Sequence, residues 1–167
     1  MRRLSPSNVS GQPSEPQSGR NLRNLYIRNG RPLAPTRVWA KRIGGLDGLI
    51  ARADANFAAI DRFVEKSPWL AHLATDPATR SNTSVCLSIV DPAVTALSAD
   101  AQADFAKGMV SALDKQGVAY DIGHYRDAPP GLRIWAGATV EASDLEKLMP
   151  WLDWAFEQQK SALKAAA

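Results

Sequence analysis

Two hydrophobic rhythms alternate along this chain, and together they limit what it can fold into. Leu46, Leu49, Ile50, Ala53, Phe57, Ile60 and Val64 recur mostly at spacings of three and four, which predicts one apolar stripe along a helix. Thr83, Val85, Leu87 and Ile89 recur at every second residue, which predicts a strand with one apolar face. A striped helix and a one-faced strand each need cover, and the economical solution is to cover each other.

The rest of the chain continues the alternation. The helical region from Thr36 onward divides at Gly44-Gly45, and Ser67-Pro68 ends it. Residues 83–91 form the first expected strand. Residues 100–116 predict a helix burying Phe105, Met109, Val110 and Leu113, with Gly117 as its stop. Residues 118–125 alternate again, with Val118, Tyr120, Ile122 and His124 on one face, and residues 131–137 predict a further strand. Ser143 and Glu146 have the spacing of a capping box for a last helix, whose apolar face is Leu145, Leu148, Met149, Leu152 and Phe156. Pro150 predicts a kink in it. The order is helix, strand, helix, strand, strand, helix. The expected fold is α+β: a small two-layer sandwich whose antiparallel or mixed sheet, of about three strands, is covered by helices on one face. The other sheet face then needs cover or meets a partner.

Charge divides the chain in two. Residues 1–37 hold seven arginines, no lysine and one acid, Glu15, a net of +6; the remaining 13 basic and 16 acidic residues carry −3. The sequence pI near 9.2 therefore belongs to the head rather than to the folding part. Residues 1–36 are rich in Ser, Pro, Asn, Gly and Arg and are expected to be disordered, with residues 37–167 as the folded domain. Asn29-Gly30 is a turn signal inside that head. An arginine-rich arm can bind nucleic acid, but these arginines are scattered, and no nucleic-acid partner is expected. No stretch is long and apolar enough for a membrane helix, and Arg2 and Arg3 are not followed by the apolar run of a secretory signal. A single cysteine, Cys86, rules out an internal disulfide and fits a reducing, cytoplasmic setting. Cys86, His72 and His124 lie too far apart in sequence to suggest a metal-ligand cluster. The chain has no Walker-type loop, no GxGxxG and no GxSxG.

One residue stands out. Arg133 sits between Leu132 and Ile134 in an apolar strand pattern, after Pro129, Pro130 and Gly131. Alternation points it away from the face that its neighbours pack. It is either an exposed arginine on an open sheet face or a planar fork that takes a carboxylate through two parallel hydrogen bonds. His124 and Arg126 precede it, and His124 also suits the end of an apolar strand face. Arg80, in Thr79-Arg80-Ser81-Asn82, suits a structural arginine that bonds loop carbonyls.

Three stretches, "IGGLDGLIARADAN", "DPATRSNTSVCL" and "APPGLRIWAGATVEASDLEKLMPWLDWAF", resemble the C-terminal segment of phosphoserine aminotransferase, a fold-type-I enzyme that uses pyridoxal phosphate. The resemblance covers about residues 38–160 and leaves out residues 1–36. It implies the small C-terminal domain of such an enzyme. It also implies that the intact enzyme moves an amino group between phosphoserine and 2-oxoglutarate, in serine biosynthesis. Arg133 of the Gly131-Leu132-Arg133 strand then corresponds to the arginine that grips the substrate's α-carboxylate. His124 and Arg126 correspond to a basic pair implicated in holding its phosphate, although Tyr125 separates them here. Pyridoxal phosphate needs a lysine to hold it, an acid at its ring nitrogen and a phosphate cup. Lys41, Lys66, Lys107, Lys115, Lys147, Lys160 and Lys164 all lie in or beyond the resembling stretch, so none matches the cofactor lysine. The expectation is a fragment with no catalytic or cofactor-binding residue of its own, inactive alone, that pairs with a large domain or a second copy. The alternative from another class is an autonomous α+β ligand-binding or protein-interaction module that works through its open sheet face.

Overall fold

The computed structural model describes residues 34–166. Most of the arginine-rich head and the Asn29-Gly30 turn lie outside the described residues. The elements are α1 (Ala34–Arg42), α2 (Gly45–Val64), β1 (Leu70–His72), β2 (Ser84–Ile89), α3 (Pro92–Thr95), α4 (Ala99–Lys115), β3 (Gly131–Trp135) and α5 (Ala142–Ala166). A single 3-10 turn, Pro77–Thr79, links β1 to β2.

The sheet has three strands in the order β1-β2-β3, and both pairings are antiparallel. Val85 faces Ile134 and Leu87 faces Leu132, so the apolar positions of the two longer strands fall on one side. Val85, Leu87, Ile89, Leu132 and Ile134 are all buried there with Ile60, Phe105, Met109, Leu113, Leu152 and Phe156. Helices α2, α4 and α5 supply that cover. The two-layer α+β sandwich is therefore as the hydrophobic rhythms require. Gly117 ends α4 with a left-handed φ of 69°, and the amides of Gly117 and Val118 bond back to Asp114 and Leu113 in a Schellman arrangement.

The strands are not all where the alternation puts them. Residues 118–125 do not form a strand. Asp121 takes a left-handed φ of 54°, which breaks the extended run, and Gly123 alone bridges to Leu132. Ala119 and Ile122 are buried while Tyr120 is exposed, so the expected face is not kept. The third strand is instead β1, too short for a period of two to register. Leu46 and Ile50 lie on the predicted stripe of α2 yet are exposed, because the core covers only the C-terminal part of that helix. At α5, Ser143 is not the cap: the helix begins at Ala142, and the amides of Asp144 and Leu145 bond to the carbonyl of Glu141. Glu146 pairs with Arg62 of α2 instead of turning back on its own helix. The helix runs on through Pro150.

A partly buried ion pair ties α3 to α5. Asp91 caps α3, accepting from the Ala93 amide at 2.9 Å, and also receives a 2.7 Å bond from Nζ of Lys160. The Lys160 bond holds the Asp91 carboxyl below its ordinary value of 3.8 despite the cost of burial, and the same bond raises Lys160 above 10.5. A depressed carboxylate contributes stability that is present above its unfolded value and is lost as pH falls through the folded one. A raised lysine contributes below its unfolded value and loses the contribution only as pH rises past the folded one. Urea midpoints of the wild type are thus expected to drop on acidification below about pH 4. Asp91→Asn keeps the capping oxygen but not the charge, so its acid limb should be shallower. Parallel acid limbs for the two chains would show that the pair does not carry this dependence.

Candidate functional site

The sheet face that carries no helix among the described residues is built from the alternate positions of β2 and β3. Ser84 lies opposite Trp135, Cys86 opposite Arg133 and Ser88 opposite Gly131. Small side chains on β2 therefore face one cation on β3, with the exposed Trp135 beside it. The chain enters β3 through Pro129-Pro130-Gly131, and the glycine has a physical reason. A Cβ on Gly131 would lie 2.1 Å from the carbonyl oxygen of Leu87, inside the β2–β3 ladder. Gly131→Ala is expected to cost about 1–3 kcal/mol, because backbone and not a flexible side chain stands in the way. A denaturation midpoint equal to wild type would mean that the strands separate without penalty.

Arg133 is not an exposed surface residue: its side chain is 17% exposed. Its backbone amide bonds to the Ile122 carbonyl at 2.8 Å, which fixes the strand against residues 121–123. Its Nη2 donates to both the carbonyl oxygen and Oδ2 of Asp121, at 3.2 and 3.1 Å. The ring of Tyr125 stacks on the guanidinium, 4.7 Å from its centroid, and the Tyr125 hydroxyl is 3.2 Å from Oγ of Ser84. Nε of Arg133 is buried and has no hydrogen-bond partner among the described residues. This is a guanidinium held in plane by an aromatic face with one edge only half filled.

The loop that follows β3 is braced from α2. Asn56, 1% exposed, donates through Nδ2 to the carbonyls of Ala136, Gly137 and Val140 at 3.1, 3.1 and 3.0 Å. Arg52 bonds the carbonyls of Ala138 and Val140 and pairs with Glu141 at 2.7 Å. A loop carbonyl left unbonded in this setting is costly, so these two side chains fix where β3 ends. Sequence reasoning passed over both. The available signal was a polar residue, Asn56, standing between Ala53 and Ile60 at stripe spacing.

The other candidates are placed less closely. His124 is half-buried and Arg126 exposed, one on either side of Tyr125, and neither has a hydrogen bond or ion pair among the described residues. No hydrogen bond or ion pair among the described residues joins them to Arg133, though the segment just before them is tied to β3 through Ile122 and Gly123. Arg80 is structural, as its position suggests. Its Nε and Nη2 donate to the carbonyls of Ala74 and Thr75, and its Nη1 lies 3.7 Å from Asp61, which also holds Nε2 of His72 at 2.7 Å. A shallow cleft beside it, lined by His72, Arg80, Ser81, Ser84 and Cys86 among others, thus offers a guanidinium whose nitrogens are already engaged. Among the described residues no group of three or more His, Cys, Asp or Glu stands together to hold a metal ion.

Three of the described lysines are engaged by acids. Lys160 is bonded to Asp91, while Lys107 and Lys147 pair with acids one turn earlier on their own helices, away from the Arg133 face. No helix among the described residues is long and apolar enough to cross a membrane.

No family model matches the chain. Over 125 residues, 75% of its length, it is 44% identical to a phosphoserine aminotransferase of Methanosarcina barkeri and 43% identical to one of Methanosarcina mazei. It spans only 31% of each of those relatives. Among solved structures it superposes on a phosphoserine aminotransferase from Bacillus circulans subsp. alkalophilus with a TM-score of 0.58. That match has 17% identity and covers 73% of this chain and 30% of the other, so it speaks to the fold. The chain thus resembles part of a phosphoserine aminotransferase, consistent with a C-terminal portion.

Proposed function

We propose that this domain supplies the substrate-carboxylate arginine of a phosphoserine aminotransferase whose remaining parts are provided by residues outside this chain. Arg133 takes the α-carboxylate shared by phosphoserine, glutamate and their keto acids. His124 and Arg126 stand toward the phosphate that only phosphoserine carries. Pyridoxal phosphate, the electron sink of such an enzyme, is held by a large domain, which also supplies the lysine. That large domain, or a second copy of the assembled enzyme, covers the sheet face that carries no helix among the described residues. The chain alone performs no transamination.

One observation carries the reading: a guanidinium on a strand, stacked under Tyr125, with a buried Nε that lacks a partner among the described residues. Solvent-exposed structural arginines do not need this arrangement. A planar fork held rigid is what fixes a carboxylate and, through it, the neighbouring carbon. The test is a graft. Residues 38–166 replace the corresponding C-terminal segment of the Methanosarcina barkeri relative. Transamination between phosphoserine and 2-oxoglutarate is expected in the graft and not in the chain by itself. A folded graft that binds pyridoxal phosphate but turns over neither substrate pair would overturn the proposal.

A further inference from the structure

We infer that Asp121 is an internal competitor for the carboxylate site of Arg133: its own carboxylate occupies the part of the fork that a bound ligand needs. The inference rests on the carboxylate reading of Arg133 given above and adds a residue that sets how tightly that site binds.

The argument starts from the shape of guanidinium. It offers two edges for a two-pronged carboxylate, Nε with Nη2 and Nη1 with Nη2. Nη2 belongs to both. Here both bonds of Nη2 go to a single residue, the carbonyl oxygen and Oδ2 of Asp121. The Asp121 carboxylate thus holds one Nη2 hydrogen, and the edge that hydrogen serves cannot take an incoming carboxylate in two-pronged fashion until the Asp121 side chain withdraws. The Nε side of the first edge meanwhile has no hydrogen-bond partner among the described residues. The fork is thus half filled by a carboxylate that belongs to the protein.

Arg80 shows what a saturated arginine looks like in the same fold. Its nitrogens are met by two loop carbonyls and an aspartate that is itself only 31% exposed. Asp121 differs in being 91% exposed, so a carboxylate that displaces it leaves it solvated in water rather than stranded. Its backbone also sits at φ 54°, a left-handed conformation that L residues hold at a cost. Letting go of Arg133 removes one reason for holding it. Tyr125 keeps the guanidinium plane in place through the exchange, because its stack does not involve the edge atoms.

The test uses the full chain, isotope-labelled and titrated with 2-oxoglutarate while the Arg133 Nε signal and backbone amides are followed by NMR. Four further chains are compared with wild type: Asp121→Asn, Asp121→Gly, Arg133→Lys and the double variant Asp121→Asn/Arg133→Lys. Asparagine and glycine both tolerate a left-handed φ, so the backbone is spared, and unchanged amide positions elsewhere report that the fold is intact. Both Asp121 variants are expected to bind about 1.5- to fivefold tighter than wild type, the range of a displaced exposed ion pair. The gain should vanish in the double variant. If Asp121 only orients Arg133, Asp121→Gly binds more weakly than wild type, and the competitor is overturned. Wild-type binding that needs Arg133 but is not strengthened by either substitution overturns the competitor and leaves the carboxylate reading standing. Binding that survives Arg133→Lys unchanged overturns both. Absence of binding in every chain overturns the competitor, and the graft then decides the carboxylate reading separately.

Discussion

Replacing Arg133 by lysine in the grafted enzyme is expected to lower kcat/KM for both the amino acid and the keto acid by about a hundredfold, which corresponds to about 2.7 kcal/mol of transition-state stabilisation. Lysine keeps the charge but presents a point where the carboxylate meets a fork. It also gives up the stack under Tyr125. The loss should fall on every substrate of the enzyme, because all of them share the α-carboxylate. Alanine at His124 or Arg126 should instead weaken phosphoserine and its keto acid while sparing glutamate and 2-oxoglutarate, because only the former pair carries a phosphate. Separate half-reaction kinetics for the two pairs make the distinction. Wild-type efficiency for both pairs with Arg133→Ala would leave the arginine without a role in binding.

Phe156→Ala is expected to remove about 3–5 kcal/mol of stability, a large share of what a domain of this size holds. Phe156 is 2% exposed and lies where three elements meet. Its ring stacks on Trp69 at 4.3 Å between centroids and meets Phe105 edge-on at 5.7 Å. Trp69 in turn donates through its indole nitrogen to Asp153 of α5 at 2.8 Å, so it cannot simply tilt into the vacated space without giving up that bond. The cavity would stay open, and the cavity contribution adds to the lost burial. Chemical denaturation of the two chains is the measurement. A cost below about 1 kcal/mol would mean that the three aromatic rings repack freely around the gap.

The layering of the domain was legible because it follows from periodicity, which packing enforces. Val85, Leu87 and Ile89 had to share a face, and so did Phe105, Met109 and Leu113; a helix layer on a sheet is the outcome. What was not legible depends on single backbone choices. Asp121 is an ordinary residue in an alternating run, and nothing local says that it will turn left-handed and end the strand. Leu70–His72 is a strand only because β2 lies beside it, a fact of tertiary structure that three residues do not encode. At the site, Arg133 was visible as a charge out of pattern and through the resemblance of the stretch around it. Its partners were not. Tyr125 is recognisable as a stacking residue only once residues 121–128 fold across the sheet, and Asp121 only once its carbonyl and carboxylate converge on one nitrogen. Hydrogen-bonding partners far apart in sequence leave no periodic trace, and the brace by Asn56 is of that kind.

That brace has a consequence for the order in which the domain assembles. The three bonds from Asn56 close loops of 80, 81 and 84 residues, and those of Arg52 are longer still. Loop-closure entropy must be met before such contacts reward it, so they form late in folding. During synthesis α2 emerges long before its loop partner exists, and it must wait exposed for most of the domain's length. The C-terminal end of the arginine strand is therefore clamped only in the closing steps, when chain made early meets chain made late. The Arg133 geometry is a property of the completed domain, and shortening the chain from either side of that closure would leave β3 without its anchor even where the strand itself is intact.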